Sequence, residues 1–157
     1  MDPSEIEFET LYPGMREGPR GLPERIARAW NAATKVRSID PNAYGVLVGR
    51  VLELVCDDRN AHGNSLAAKL KDLSTRGEMP QKLVDVANGL RHLRNVGAHA
   101  SLGELTEAEV PVLDGLTRAI LEYVYTAPLL AREAEDRLKK LRTNKPSEGS
   151  EAREKNS

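Results

Sequence analysis

Residues 40–58 of this chain read DPNAYGVLVGRVLELVCDD, and this stretch decides the fold class. Asp40 followed by Pro41 is typical of a helix start, because the carboxylate caps free backbone N–H groups and proline is tolerated in the first turn. The apolar residues then recur in steps of three and four, which predicts a helix with one buried face. That face carries Tyr44, Leu47, Val48, Val51, Leu52 and Val55.

Helices are also predicted on both sides of this stretch. One begins at Leu22-Pro23 and continues to about Arg37, since its apolar residues keep helical spacing. Another is capped by Asn64-Ser65, carries Leu66, Leu70 and Leu73, and stops near Gly77.

Two later helices complete the predicted bundle. The fourth begins at Pro80, and its apolar positions are Leu83, Val86, Ala87, Leu90 and Leu93. The fifth begins at the capping box Thr106 to Glu109, with Thr106 as the cap, and passes through Val110, Leu113, Thr117, Ile120, Leu121 and Val124. Pro128 is predicted to interrupt its pattern.

These patterns predict an all-α fold, a helical bundle of about five helices over residues 22–127. Residues 1–21 are punctuated by Gly and Pro and predict an irregular N-terminal arm. Residues 128–142 predict a charged C-terminal helix, and residues 143–157 have almost no apolar side chains, which predicts a disordered tail.

Composition limits the function classes. The chain has 157 residues and a formal net charge of −1, so any contact with nucleic acid requires a local basic cluster rather than a basic surface. A single cysteine, Cys56, excludes an intramolecular disulfide and fits a reducing compartment. The start is acidic and no apolar run is long enough to span a bilayer, so we expect a cytoplasmic protein without a membrane partner.

The most unusual segment is Arg91-His92-Leu93-Arg94-Asn95-Val96-Gly97-Ala98-His99. On a helical wheel with Leu83 at zero, Arg94 falls at about 20°, inside the apolar stripe of the fourth helix. Burying an unpaired guanidinium is costly. Three interpretations are therefore open: the helix has ended, Arg94 faces a carboxylate, or Arg94 lines a cleft or subunit interface.

Arg94 and His99 carry the groups needed for metal-free RNA cleavage. The imidazole can act as general base or acid, the guanidinium can hold a phosphate through two hydrogen bonds, and Asn95 adds a neutral donor. On a regular helix Arg94 and His99 lie about 140° apart, so they converge only if the backbone loosens near Gly97. The alternative is a plain helix end. Arg91 and His92 are predicted to support the site or contact RNA.

On the helix of residues 40–58, Arg50, Glu53 and Asp57 lie opposite the apolar stripe. Their spacing permits an ion-pair ladder, for which the simplest interpretation is a solvated face with about 0.2–0.5 kcal/mol per pair. Coverage by a second helix or subunit is the other interpretation, and Arg50 and Glu53 are retained as supporting or RNA-contacting residues. Asp57, Asp58 and His62 lack a further ligand at metal spacing, so we predict no metal and no cofactor.

Together these segments resemble the DUF4145 family, helical domains found alone or attached to restriction-type nucleases, and through it the HEPN superfamily. The resemblance covers most of the chain. It includes Tyr12-Pro13, Leu22-Pro23, Arg50-Val51-Leu52-Glu53, residues 65–77, Leu90 to Asn95 with Ala98-His99, and the acidic helix start at Thr106 to Glu109. It implies a bundle that often pairs through the faces carrying Arg and His, forming a composite cleft.

In active HEPN ribonucleases the signature is Arg, a polar residue, a short spacer and His, and Arg94, Asn95 and His99 fit that form. The chain departs from DUF4145-like sequences, which commonly place Gly where Arg94 stands and keep the earlier Arg, here Arg91. Many HEPN-like members are dimerisation or docking modules. Two functions are therefore expected: a homodimeric, metal-independent endoribonuclease in a toxin or phage-defence setting, or a non-catalytic module that docks on a nuclease or other defence protein.

Overall fold

The computed structural model describes residues 18–97 and 105–144, with the backbone alone over residues 90–97. Over these ranges every regular element is helical, which confirms the all-α prediction. The helices are α1 (Glu24–Val36), α2 (Pro41–Asp58), α3 (Leu66–Thr75), α4 (Gln81–Gly97), α5 (Val110–Leu121) and α6 (Ala127–Thr143), with a π-helical turn at Glu122–Thr126. The arm before Gly18 and the tail after Asn144 lie outside the described residues.

Helix α2 is the central element, and its start is the predicted one. The Asp40 carboxylate accepts hydrogen bonds from the backbone N–H groups of Asn42 and Ala43, at 3.0 and 3.3 Å. All the predicted core residues of α2 are buried except Leu47, which is half-buried. Helix α1 packs along α2, while α3 and α5 contact it from other sides.

Helices α2 to α5 surround a common apolar centre. Helix α4 packs against α3 and α5, the same two helices that contact α2, so the four helices close a ring. The largest fully buried side chains come from all parts of the bundle and include Ile26, Tyr44, Leu70, Leu73, Val84, Ile120 and Leu121. None of the helices in the part of the chain that is described is both long and apolar enough to cross a membrane.

Helix α3 also confirms its sequence signals. The Ser65 hydroxyl accepts a hydrogen bond from the Ala68 N–H at 3.1 Å. Leu66, Leu70 and Leu73 are buried, and the chain leaves the helix through Gly77, whose φ of +76° suits glycine.

The predicted apolar face of α4 needs one correction. Val86 is exposed, whereas Val84 is buried beside Ala87 and Leu83 is half-buried. Because α3 and α5 both cover α4, its inner face is centred between Val84 and Ala87 and leaves Val86 on the outside.

The predicted start of the fifth helix is wrong by several residues. The Glu109 carboxylate accepts hydrogen bonds from the N–H and hydroxyl of Thr106, but the Thr106 side chain caps no helix N–H. Helix α5 begins at Val110, with Pro111 in its first turn. Proline is favoured there because the first N–H groups of a helix have no partner, and this preference sets the start of α5.

Pro128 does not interrupt the helical path as predicted. It lies in the first turn of α6, and the π-helical turn Glu122–Thr126 joins α5 to α6. A proline inside an α-helix lacks the N–H that bonds the carbonyl four residues earlier and clashes with that carbonyl. The wider π turn accommodates this, so the chain stays helical through Thr143.

Candidate functional site

Four of the predicted site residues lie on the last turns of α4. The helix contains Arg91, His92, Arg94 and Asn95, and only their backbone is described. The interpretation in which the helix ends before Arg94 is wrong, because the backbone stays helical through Gly97. His99 lies outside the described residues, so its convergence with Arg94 stays a prediction.

The register of α4 relates Arg94 to the core. Seven residues separate Ala87 from Arg94, so their Cα atoms lie on the same side of the helix axis, within about 20°. Ala87 is buried against neighbouring helices. The side of α4 that faces the core therefore continues into the turn that contains Arg94.

Asn88 is a candidate that the sequence analysis missed. Its Oδ1 atom is buried and has no hydrogen-bond partner among the described residues. A buried amide oxygen without a partner costs about 1–3 kcal/mol, so such an atom usually has a function or a further partner. Asn88 precedes His92 by four residues and Asn95 by seven, and this helical spacing was the available signal.

The predicted ladder of Arg50, Glu53 and Asp57 is not formed. The carboxylates of Glu53 and Asp57 both contact Nζ of Lys69 on α3, at 3.3 and 3.4 Å. Hydrogen bonding to Glu53 raises the pKa of Lys69. The Arg50 side chain is exposed, and its guanidinium makes no hydrogen bond or ion pair with the described residues. Glu53 therefore ties α2 to α3, while Arg50 is a cation open to solvent.

A charged network holds the connections on either side of α3. The Arg59 guanidinium contacts the Glu78 carboxylate, and Arg76 contacts Glu78 at 3.0 Å and Asp72 at 3.4 Å. The His62 backbone N–H donates to Asp72 at 2.9 Å, and this hydrogen bond lowers the pKa of Asp72. These groups satisfy one another, so the network is structural.

The acidic residues at the end of α2 do not converge on one point. Asp57 contacts Lys69, whereas Asp58 accepts a hydrogen bond of 2.6 Å from the Tyr125 hydroxyl. The His62 ring lies 3.8 Å from Asp72. Among the residues that the structure describes, no group of His, Cys, Asp and Glu is arranged to hold a metal ion.

A polar contact also joins α2 to α5. The Tyr44 hydroxyl donates to Asp114 at 3.3 Å, and Arg37 contacts the same carboxylate at 3.1 Å. Burial and the Asp114 charge raise the pKa of Tyr44, so its hydroxyl keeps its proton at neutral pH. Tyr44 therefore fastens helices and is unsuited to proton transfer.

Comparison with known proteins gives one match. The family described as "Domain of unknown function (DUF4145)" matches residues 31–144, from within α1 to the end of α6. No curated protein and no solved structure matches the chain significantly.

Proposed function

The chain belongs to the DUF4145 family, and from this premise we propose that it is a HEPN-like, metal-independent endoribonuclease that acts as a homodimer in a toxin or phage-defence setting. The observation that carries the proposal is the register of α4. The helix continues through Gly97, with the Arg94 Cα on the side of buried Ala87. An arginine at such a position needs a partner of opposite charge, and a phosphate is one.

Each proposed residue has a separate chemical role. His99 removes the proton from a ribose 2′-hydroxyl, and the 2′-oxygen attacks the neighbouring phosphorus. The bond from phosphorus to the 5′-oxygen breaks, and that oxygen takes up a proton. The products are a 2′,3′-cyclic phosphate and a 5′-hydroxyl. Arg94 holds the phosphate oxygens through charge-assisted hydrogen bonds, and Asn95 donates a further one.

The remaining basic residues serve substrate binding. Arg91 and His92 share the last turns of α4 with Arg94, and exposed Arg50 lies on α2. With a net charge of −1, the chain has no general attraction for RNA, so the two guanidinium groups and the His92 imidazole position the substrate. Two copies that pair through α4 would form a composite cleft with two sets of these residues. Asn88 lies on the same helix, and its amide oxygen, which has no partner among the described residues, would accept a hydrogen bond from that cleft or from its supporting residues.

Cleavage of labelled RNA by purified protein tests the proposal. We expect tRNA and structured RNA to be cut in the presence of EDTA and to yield cyclic phosphate ends. His99→Ala should lower the rate about 10²–10⁴-fold, the usual contribution of a general acid or base. His62→Ala is the matched control, because His62 is exposed and its bond to Asp72 uses the backbone N–H. Uncut RNA from acid to neutral pH, or equal rates for wild type and His99→Ala, would refute the proposal.

Arg94 requires its own comparison. Arg94→Ala and Arg94→Lys should both lose most activity, since a lysine cannot make the paired hydrogen bonds of a guanidinium. Arg28→Ala is the control, because Arg28 is exposed on α1 and its side chain pairs with Glu24 alone among the described residues. Full activity of Arg94→Lys would leave Arg94 with a purely electrostatic role.

A second candidate function is a non-catalytic module that docks on a nuclease or another defence protein. It is favoured by a largely apolar groove between α4 and the π-helical turn, lined by Leu83, Ala119, Tyr123, Ala127 and Leu130 together with Glu122 and Thr126. Val86 and Tyr123 are exposed. If Val86→Glu and Tyr123→Glu abolish a cellular phenotype that His99→Ala retains, docking replaces catalysis as the function. If His99→Ala abolishes the phenotype with assembly intact, catalysis is supported.

A further inference from the structure

Helix α6 extends away from the bundle. Every side chain from Leu130 to Asn144 is exposed. Its contacts with the rest of the described chain lie near its start, where Leu129 packs beside Gly21 and Glu133 contacts Arg20 at 2.8 Å. The described residues therefore leave the last turns of α6 uncovered, as a rod.

One face of this rod is apolar. On a helical wheel Leu130, Ala134, Leu138 and Leu141 fall within about 80° of one another. Leu138 is 55% exposed and Leu141 is 64% exposed, values unusual for two leucines that are neighbours on one helix. A helix that stays alone in water has no need of such a stripe.

The charges of α6 are divided along its length. After Arg132, three carboxylates come first, at Glu133, Glu135 and Asp136, and four cations follow, at Arg137, Lys139, Lys140 and Arg142. An antiparallel partner with the same sequence would place its cations at 139–142 beside these carboxylates and its carboxylates beside those cations, while Arg137 lies near the centre and meets the partner's Arg137. A parallel partner would place each charge beside its own kind in the partner. The helix is therefore self-complementary in the antiparallel direction only.

The register follows from the residues that flank the apolar stripe. Glu135 and Arg142 lie on one side of it, at about 80–100° from Ala134, and Glu133 and Lys140 lie on the other side, at about 100–120°. In an antiparallel pair of identical helices, each flank of the apolar stripe faces the same flank of the partner helix. Glu135 then meets Arg142, and Glu133 meets Lys140, about a common centre between Arg137 and Leu138.

The same register also joins large and small apolar residues. It sets Leu141 of one helix against Ala134 of the other, and the two Leu138 side chains meet at the centre. Residues 131–144 then overlap over about 20 Å, with the two bundles at opposite ends of the paired rods. We propose that α6 is an assembly surface whose partner is α6 of a second copy of this chain, bound antiparallel.

Contacts within one helix do not account for the pattern. Acidic residues before basic ones also suit the helix dipole, and Glu133, Glu135 and Asp136 each have a cation four residues later. Among the described residues, however, no ion pair is closed within α6, and Glu133 contacts Arg20 instead. Neither the dipole nor such pairs requires Leu138 and Leu141.

The mass of the full-length chain in solution, measured over a concentration series by sedimentation, tests the apolar stripe. We expect the double variant Leu138→Glu and Leu141→Glu to halve the mass of the assembly while keeping its helix content. Ile39→Glu is the matched control, since Ile39 is 78% exposed and lies outside α6. A wild-type chain that stays a single copy at about 100 µM, or an assembly that the double variant leaves intact, would overturn the proposal.

Charge reversal tests the antiparallel register. The pair Glu133→Lys and Glu135→Lys, and the pair Lys140→Glu and Arg142→Glu, should each weaken association at least tenfold. An equal mixture of the two variants should associate again, because each supplies the charges that the other lost. Arg20→Ala is the control for the contact that Glu133 makes in its own chain, and it should keep the wild-type mass.

Failure of the mixture to associate would contradict the antiparallel pairing. Pairing through α4, as in the proposed ribonuclease dimer, does not involve these side chains and would survive all of the substitutions. A chain that assembles through both surfaces forms an assembly larger than a dimer, which the α6 variants reduce to a dimer. RNA cleavage and α6 pairing can therefore fail independently.

Discussion

At the scale of single residues, the backbone conformation of Gly63 and the atoms around it leave no room for a larger residue. Its φ is +152°, and an added Cβ would lie 2.7 Å from the Ala68 side chain and 2.9 Å from the backbone N of Lys69. These atoms belong to the first turn of α3 and have little room to move. We expect Gly63→Ala to lower the free energy of unfolding by about 1–3 kcal/mol, measured in urea.

Gly115 provides the matched control for Gly63. It lies inside α5, is exposed, and an added Cβ would meet nothing within 4 Å. Gly115→Ala should therefore raise the free energy of unfolding by about 0.5–1 kcal/mol, since alanine restricts the unfolded chain. Equal effects of the two substitutions would show that helix propensity, and not local space, determines both.

Burial of Cys56 lowers the reactivity of its thiol. It is fully buried on α2, and burial raises the pKa of its thiol to about 12. Since the thiolate is the reactive form, alkylation at pH 8 should be about a thousandfold slower in the folded chain than in urea. The cysteine introduced by Ser38→Cys, at an exposed position, should react at the rate of a free thiol both in the folded chain and in urea. Rapid labelling of native Cys56 would contradict this environment.

At the scale of elements, local signals account for α2 and α3, while the junctions around α5 needed the assembled structure. Asp40 and Ser65 cap their helices through bonds within three residues, so sequence alone was sufficient. Pro128 was misread because its effect depends on the π-helical turn before it. The Thr126 hydroxyl in that turn donates a hydrogen bond of 2.7 Å to the carbonyl of Arg20, a residue far away in the sequence.

Capping of α2 gives a prediction at this scale. Asp40→Ala removes the acceptor for the N–H groups of Asn42 and Ala43 and should cost about 0.5–2 kcal/mol of stability. Asp40→Asn keeps an acceptor oxygen and should lose much less. Thermal unfolding of both variants measures the difference. If both variants have the same melting temperature, below that of wild type, the charge of Asp40 matters more than its hydrogen bonds.

At the scale of the whole molecule, the candidate site was only partly accessible from sequence. The spacing on α4 predicted a helix that reaches Arg94, and the backbone is helical there. The partner of Glu53 was missed because Lys69 lies on another helix, sixteen residues away, and only packing of α2 on α3 joins them. Asn88 was missed because its helical spacing from His92 and Asn95 does not by itself indicate a function, and only the burial of its amide oxygen singles it out.

Buried hydroxyl and thiol groups also make the stability of the whole bundle depend on pH. Tyr44 on α2 and Tyr125 in the π-helical turn each donate a hydrogen bond to a carboxylate, Asp114 and Asp58 respectively. Burial is the main cause that raises the pKa of both tyrosines and of Cys56. The folded chain therefore keeps three protons that the unfolded chain releases at its ordinary pKa values.

This difference predicts a loss of stability in alkali. Below about pH 8 both states hold the three protons and stability is complete. Above that, the unfolded chain ionises first, so the free energy of unfolding falls as pH rises toward the folded pKa values, by roughly 1 kcal/mol per tyrosine at pH 11. Urea unfolding at pH 8 and pH 11 measures the loss. Tyr125→Phe should be less stable than wild type at pH 8, but its free energy of unfolding should fall less between pH 8 and pH 11. A fall as large as that of wild type would contradict a role for the Tyr125 proton.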